Sequence, residues 1–173
     1  MRRWLTLDRV WDGLALLAIA FVLWKVFIAP RNLDAANAHP APRAAYERLD
    51  GSGTFRIADQ RGRLLFLDFY ASWCEPCRIE LPQVQEWALA HPDAVVAMVD
   101  VGEPHSVAEK FARQYHLHNV VLDPHSTAQP LFAVEGFPTL VVVDPQGRIR
   151  ASWQGLNPAI ALAMSNARKN LTP

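Results

Sequence analysis

Three short apolar runs constrain this chain more than any other feature. Leu64–Tyr70 reads L-L-F-L-D-F-Y, Val95–Val101 reads V-V-A-M-V-D-V and Thr139–Val143 reads T-L-V-V-V. They are short, rich in β-branched residues and free of polar alternation, which suits strands covered on both faces. Helical signals fall between them. A helix is expected from about Glu75 to Ala90. Ser106-Val107-Ala108-Glu109 has the form of a capping box, with Val107, Phe111 and Tyr115 recurring every fourth residue. Asn157-Pro158 offers an N-cap followed by proline at the first helical position, and Ile160, Met164, Ala167 and Leu171 continue one face. Asp144-Pro145-Gln146-Gly147 has the residues of a type I turn, so Thr139–Val143 and Arg148–Trp153 are expected to form an antiparallel hairpin. Residues Ala44 to Leu49 are expected to start a short helix. The order implies an α/β fold, a mixed central sheet flanked by helices.

That domain does not use the whole chain. The 173 residues leave about 30 to 40 beyond a domain of ordinary size. From Gly13 to Ala29 the only charge is Lys25. Such a helix reaches about 25 Å, the short end for a bilayer core of about 30 Å. Trp11 and Trp24 lie near its ends, where indoles favour the interface, and Lys25 can snorkel outward. Three readings fit: an uncleaved transmembrane anchor, a signal peptide cleaved at the small-x-small Ala36-Asn37-Ala38, and a buried core helix. The anchor is preferred, because the cleavage signal lies far beyond the apolar run. No cysteine precedes Cys74, which argues against a lipid-attached form. Arg2, Arg3 and Arg9 precede the run, and Arg31 and Arg43 follow it, so the positive-inside rule favours a cytoplasmic N-terminus. The expected organisation is a tip and anchor at 1–29, a proline-bearing linker at 30–45 and a domain at 46–173. The expected location is a bacterial inner membrane, single-pass, with the domain facing the periplasm or exterior.

The 17 basic and 17 acidic side chains make no electrostatic case for nucleic acid. With no G-x-G-x-x-G, no nucleotide-binding motif is evident and no cofactor is expected. Two cysteines cannot make a disulfide framework. Cys74-Glu75-Pro76-Cys77 instead lies just after a strand and opens a helix, which is a redox context. Helix-start N–H groups and the helix dipole favour a thiolate on Cys74. Cys77 lies one turn deeper on the same face, placed to resolve a mixed disulfide on Cys74. Pro76 suits a first turn, where its missing N–H costs nothing. The competing reading is half a zinc site completed by His116 and His118, but nothing in the sequence brings those histidines to Cys77; no metal is expected.

The run L-D-F-Y-A-S-W-C-E-P-C resembles the active-site segment of thioredoxin-fold oxidoreductases. Asp68 stands six before Cys74, Pro82 eight after it, and Gly136-Phe137-Pro138-Thr139 resembles the cis-proline loop. The C-E-P-C-x-x-E-x-P pattern and the anchor resemble the membrane-tethered TlpA, ResA and DsbE type. This resemblance implies a thioredoxin-like fold and thiol–disulfide oxidoreductase activity, reducing client disulfides through Cys74 and Cys77. It implies a substrate-binding surface at Trp73, Phe137 and Pro138. It implies clients such as apocytochrome c or a copper-assembly protein, and a separate membrane or periplasmic electron donor. Two other readings stay open: an oxidase or isomerase using the same site, and a copper-handling module with His125 as candidate ligand.

Four residues complete the expected site. Asp68 interrupts an apolar run and shares a strand face with Leu64, Phe66 and Tyr70. Buried without a cation, its pKa rises, which suits a proton acceptor for Cys77. Glu80, one turn beyond Cys77, is expected to tune the thiol or relay its proton. Glu75 is expected to oppose thiolate formation by repulsion, and so to give a milder redox poise than a strong oxidant has. Pro76 lies between the cysteines and joins this tuning set.

Overall fold

The structure is a computed structural model that describes residues 4–23, 31–32 and 38–172. Its elements in chain order are α1 (Trp4–Leu23), β1 (Arg31–Asn32), β2 (His39–Pro40), β3 (Ala45–Arg48), β4 (Thr54–Arg56), β5 (Leu65–Tyr70), α2 (Glu75–Ala90), β6 (Val95–Val101), α3 (His105–Gln114), β7 (Val120–Asp123), α4 (Ala128–Phe132), β8 (Thr139–Val143), β9 (Arg148–Gln154) and α5 (Ile160–Leu171). A 3-10 turn over Ile57–Gln60 follows β4. One mixed sheet runs in the order β1, β9, β8, β5, β6, β7, β3, β4, with β2 also paired to β9. β5, β6 and β7 are parallel; β8 joins β5 antiparallel.

The three apolar runs are its three central strands, and every residue of β5, β6 and β8 is buried. Two cores result. One face packs Phe66, Tyr70, Met98 and Leu140 with Cys77, Leu81 and Trp87 of α2 and Ile160 and Met164 of α5. The other packs Leu67, Phe69, Val99 and Val141 with Tyr46, Phe55 and Phe132. The hairpin expected at Asp144–Gly147 is present. Gly147 donates to the Asp144 carbonyl at 2.8 Å and takes a φ of +81°, which glycine tolerates. Buried Asp144 fixes the turn by accepting from the Gln146 and Arg148 N–H groups and from the Arg148 and Arg150 guanidiniums.

Four expectations need correction. Ala44–Leu49 is not helical: β3 occupies it. Good helix formers fill the segment, but Tyr46 points into the core while Ala45 and Glu47 face out, and tertiary pairing to β4 and β7 wins over propensity. The capping box at Ser106 does not form. α3 starts two residues earlier, at His105 with Pro104 as its N-cap, and the Pro104 carbonyl accepts from Val107 and Ala108. α5 begins at Ile160 rather than Pro158, because the Asn157 side chain caps a preceding turn through the Ala159 N–H at 2.9 Å. The linker at 30–45 is not wholly outside the sheet, since β1 and β2 add to the β9 edge. β4, β7 and α4 were not foreseen.

At the N-terminus, Leu14, Leu16, Leu17, Ile19 and Val22 of α1 are exposed. Among the described residues no helix is long and apolar enough to cross a membrane. Residues 24–29 of the expected span, Ala36 and Asn37 of the cleavage signal, and most of the linker lie outside the described residues.

Candidate active site

β5 ends at Tyr70, and Ala71-Ser72-Trp73 carries the chain to α2. Cys74 is the N-cap of that helix, and its Sγ accepts from the Cys77 N–H at 3.2 Å. A donor and the positive end of the helix dipole therefore meet the sulfur that is to carry charge. Cys74 and Cys77 form a disulfide. Both are buried, Cys77 completely and Cys74 at 4% exposure, so Cys74 is the sulfur nearer solvent. Pro76 is the second residue of α2, where no N–H is needed.

Two acids are buried on the elements that frame the core of the disulfide, Asp68 on β5 and Glu80 on α2. Asp68 is fully buried on the same sheet face as Phe66 and Tyr70, and neither of its oxygens has a hydrogen-bond partner. Burial, then the Glu80 carboxylate, raises its pKa well above the usual carboxylate range. Glu80 is also buried, and one oxygen accepts from the Asn157 N–H at 2.8 Å. Burial pushes Glu80 up to about 7, against the lowering effect of that bond. Glu80 binds its proton more tightly when folded. Its contribution to stability therefore falls as pH rises from 4.5, its ordinary value, to about 7. Glu80→Gln is expected to remove that share of the slope, roughly 2–3 kcal/mol. Urea midpoints at pH 5 and pH 8 check this.

Glu75 lies on the outer side of the same helix start. Its carboxylate is exposed and paired with Arg78 at 3.0 Å. Arg78, unremarked in the sequence, also donates to the Ser72 carbonyl at 2.9 Å. Glu103 holds the same loop from the other side: it accepts from the Ser72 N–H and hydroxyl, both at 2.6 Å. These two clamps set the position of Trp73 and Cys74. The Glu103 pairing has no sequence signal, because Ser72 and Glu103, 31 residues apart, meet only through the fold.

Opposite the cysteines, the Phe137–Pro138 peptide bond is cis and Pro138 is buried. The Thr139 hydroxyl closes the loop on the Gly136 carbonyl at 2.7 Å. Trp73 stands out at 68% exposure, with its ring edge-to-face against Phe137 at 5.8 Å. The structure thus brings together the candidates Asp68, Trp73, Cys74, Cys77, Glu80, Phe137 and Pro138. It does not bring in His116 and His118, which line a separate cavity of about 480 Å³ with Arg48 and Arg113. His125 is exposed in the turn after β7. Among the described residues, no three His, Cys, Asp or Glu side chains are grouped to hold a metal ion.

Comparison with known proteins agrees with this geometry. The AhpC/TSA family model matches residues 38–152. The thiol-disulfide oxidoreductase ResA of Geobacillus kaustophilus is 30% identical over 138 residues, covering 78% of each chain. That of Geobacillus thermodenitrificans is 29% identical over 140 residues, covering 79% of each. Among solved structures, the Chlorobium tepidum protein assigned as the thiol:disulfide interchange protein DsbE superposes with a TM-score of 0.72 at 27% identity, covering 78% of this chain and 96% of that one. StoA from Bacillus subtilis superposes with a TM-score of 0.62 at 27% identity, covering 73% and 99%. A thioredoxin-like sheet, a disulfide at the start of its long helix and these relatives lead to one conclusion: the chain belongs to the AhpC/TSA family and is a thiol–disulfide oxidoreductase of the TlpA/ResA/DsbE-like type.

Proposed function

We propose that the protein is held at a bacterial cytoplasmic membrane by its N-terminal helix and reduces client protein disulfides on the outer side. The Cys74 thiolate attacks a client disulfide, forming a mixed disulfide and releasing one client sulfur, which takes up a proton. Cys77 loses its proton to the buried acid beside it and attacks Cys74. The second client sulfur leaves, and Cys74–Cys77 is oxidised by two electrons. A separate dithiol or membrane donor then restores the two thiols. Exposed Trp73 and the Phe137-Pro138 loop offer the surface on which the client chain lies. The TlpA- and ResA-type pattern supports apocytochrome c or a copper-assembly protein as client.

The direction rests on one observation: two buried carboxyls, Asp68 and Glu80, lie under the cysteines, and none of the ion pairs among the described residues neutralises them. Strong oxidants stabilise their thiolate; buried negative charge does the reverse and favours the disulfide product of reduction. The reduction potential is expected near that of thioredoxin, about −270 mV, and far from the −120 mV or so of DsbA. Equilibration with a dithiothreitol or glutathione buffer measures it. A value near that of DsbA would turn the reading into an oxidase with the same site.

The anchor rests on the Gly13–Ala29 run and on the exposed apolar side chains of α1, which water does not favour. Fractionation and protease shaving of the full chain in cells test it. The domain is expected in the membrane fraction and open to protease from outside.

A further inference from the structure

Asp68 is not the only unpaired acid under α2. Asp100 on β6 is 1% exposed, and neither of its oxygens makes a close hydrogen bond, although Tyr70 and Glu103 lie near enough to interact with them. The fully buried Tyr70 hydroxyl makes no close hydrogen bond either, and Asp100 is the acid that acts on it most. The parallel register of β5 and β6 sets Tyr70 opposite Asp100 and Asp68 opposite Met98. Side chains two apart on a strand share a face, so Asp68, Tyr70 and Asp100 all point to the α2 side, where Tyr70 and Met98 share the core of Cys74 and Cys77. Tyr70 stands between the two acids, and its acidity is suppressed by burial first, then by Asp100, Asp68 and Glu103 in that order. All three carboxylates are therefore felt at one hydroxyl.

The surroundings supply no counter-charge. The titratable groups that act on Asp100 are Glu103, just after β6, and Tyr70 on β5; Asp68 acts on the same Tyr70, and Glu80 of α2 acts on Asp68. α3 presents Phe111, stacked on Tyr70 at 5.6 Å, and β7 presents Leu122 in register with Asp100. A carboxylate in such a place, with no cation beside it, is costly; burial and then Glu103 push Asp100 up to about 8, against the lowering effect of the Tyr70 hydroxyl. Cysteine thiols ionise in the same range, at about 8.5 when unperturbed. Two charges that form in one low-dielectric core oppose each other, and the coupling is reciprocal.

We propose that Asp100 is a second proton-holding group of the redox centre, connected to Asp68 through Tyr70, whose affinity for a proton rises when the Cys74–Cys77 disulfide is reduced. The balance is two electrons and two protons per disulfide, both supplied by a dithiol donor that becomes a disulfide. One proton remains on Cys77. Where Cys74 stays a thiolate, the other is taken by the buried acids, Asp100 among them when it is ionised, and is returned when the disulfide re-forms. Asp100 touches no client; it is a positioning residue for protons.

This rests on the exchange chemistry at Cys74 and Cys77, so the experiment reads both. Full-length protein, labelled with carbon-13 at the aspartate carboxyls, is titrated by NMR from pH 5 to 10, oxidised and then reduced with dithiothreitol, with thiols counted in each sample. The expected result is two thiols on reduction and an Asp100 proton affinity at least twofold higher than in the oxidised form. Backbone-correlated spectra assign Asp100 without a variant. Asp100→Asn is expected to make Cys74 alkylation at pH 8 at least twofold faster, and Tyr70→Phe to shrink the Asp100 change. Two thiols with an Asp100 affinity that changes less than twofold overturn this proposal alone. Failure to form two thiols overturns the exchange reading and this proposal with it.

Discussion

Cys74→Ser is expected to abolish insulin-disulfide reduction, and Cys77→Ser to stop turnover after the first attack. The two losses differ in kind. A serine hydroxyl at 74 is not ionised at neutral pH and forms no disulfide, so no mixed disulfide accumulates. With serine at 77, Cys74 still carries the Cys77 N–H and helix dipole that stabilise its thiolate, because those belong to the backbone. Attack proceeds, but the resolving sulfur is gone and the client stays attached. A non-reducing gel of Cys77→Ser from its host should show high-mass adducts that dithiothreitol dissolves. The same gel of Cys74→Ser should show none, and mass spectrometry of the adducts names the clients. Cys77 is fully buried, so it does not replace Cys74 as the attacking sulfur. Activity in either variant above one per cent of the parent would sink the mechanism. Adducts containing apocytochrome c would support that client, and adducts containing copper-assembly proteins would support the other.

Much of this site was legible in the chain because its signals are local. Apolar runs without alternation marked β5, β6 and β8, and the cysteine spacing at a strand-to-helix junction marked the reactive pair. Asp68 announced itself as an acid inside an apolar run, and the structure buries it as that pattern implied. The same signal stood at Asp100, in V-V-A-M-V-D-V, and passed unread. Other features had no local signal. Glu103 meets Ser72, and Asn157 meets Glu80 77 residues away in sequence, only through the fold. β3 was misread because Ala, Glu, Arg and Leu favour helices, while the deciding factor, Tyr46 entering the second core, is tertiary. The Glu75–Arg78 pair, three residues apart on one helix, was legible from spacing and went unremarked.

Asp68→Asn separates a chemical role from a structural one more sharply than any other substitution here. Asparagine keeps the size and shape of the side chain but neither accepts a proton nor takes a charge. If Asp68 takes the Cys77 proton, resolution of the mixed disulfide should slow by about a hundredfold, the lower end of what a positioned base supplies. The pH profile should change with it. In the parent, the rate rises as Asp68 ionises above the usual carboxylate range; in the variant that rise should disappear and leave only thiol ionisation. Stability should move the other way. A buried carboxyl with a raised pKa binds its proton more tightly when folded, so it costs stability progressively as pH rises through that value. Asp68→Asn removes the cost, so its thermal midpoint at pH 8 should lie above the parent's, with the difference shrinking toward pH 5. Stopped-flow resolution of a preformed mixed disulfide and thermal melts at both pH values give the two readouts. A merely structural aspartate would lose rate and stability together. A slower and more stable variant is the outcome that only a proton acceptor, held at a cost beneath the cysteines, accounts for.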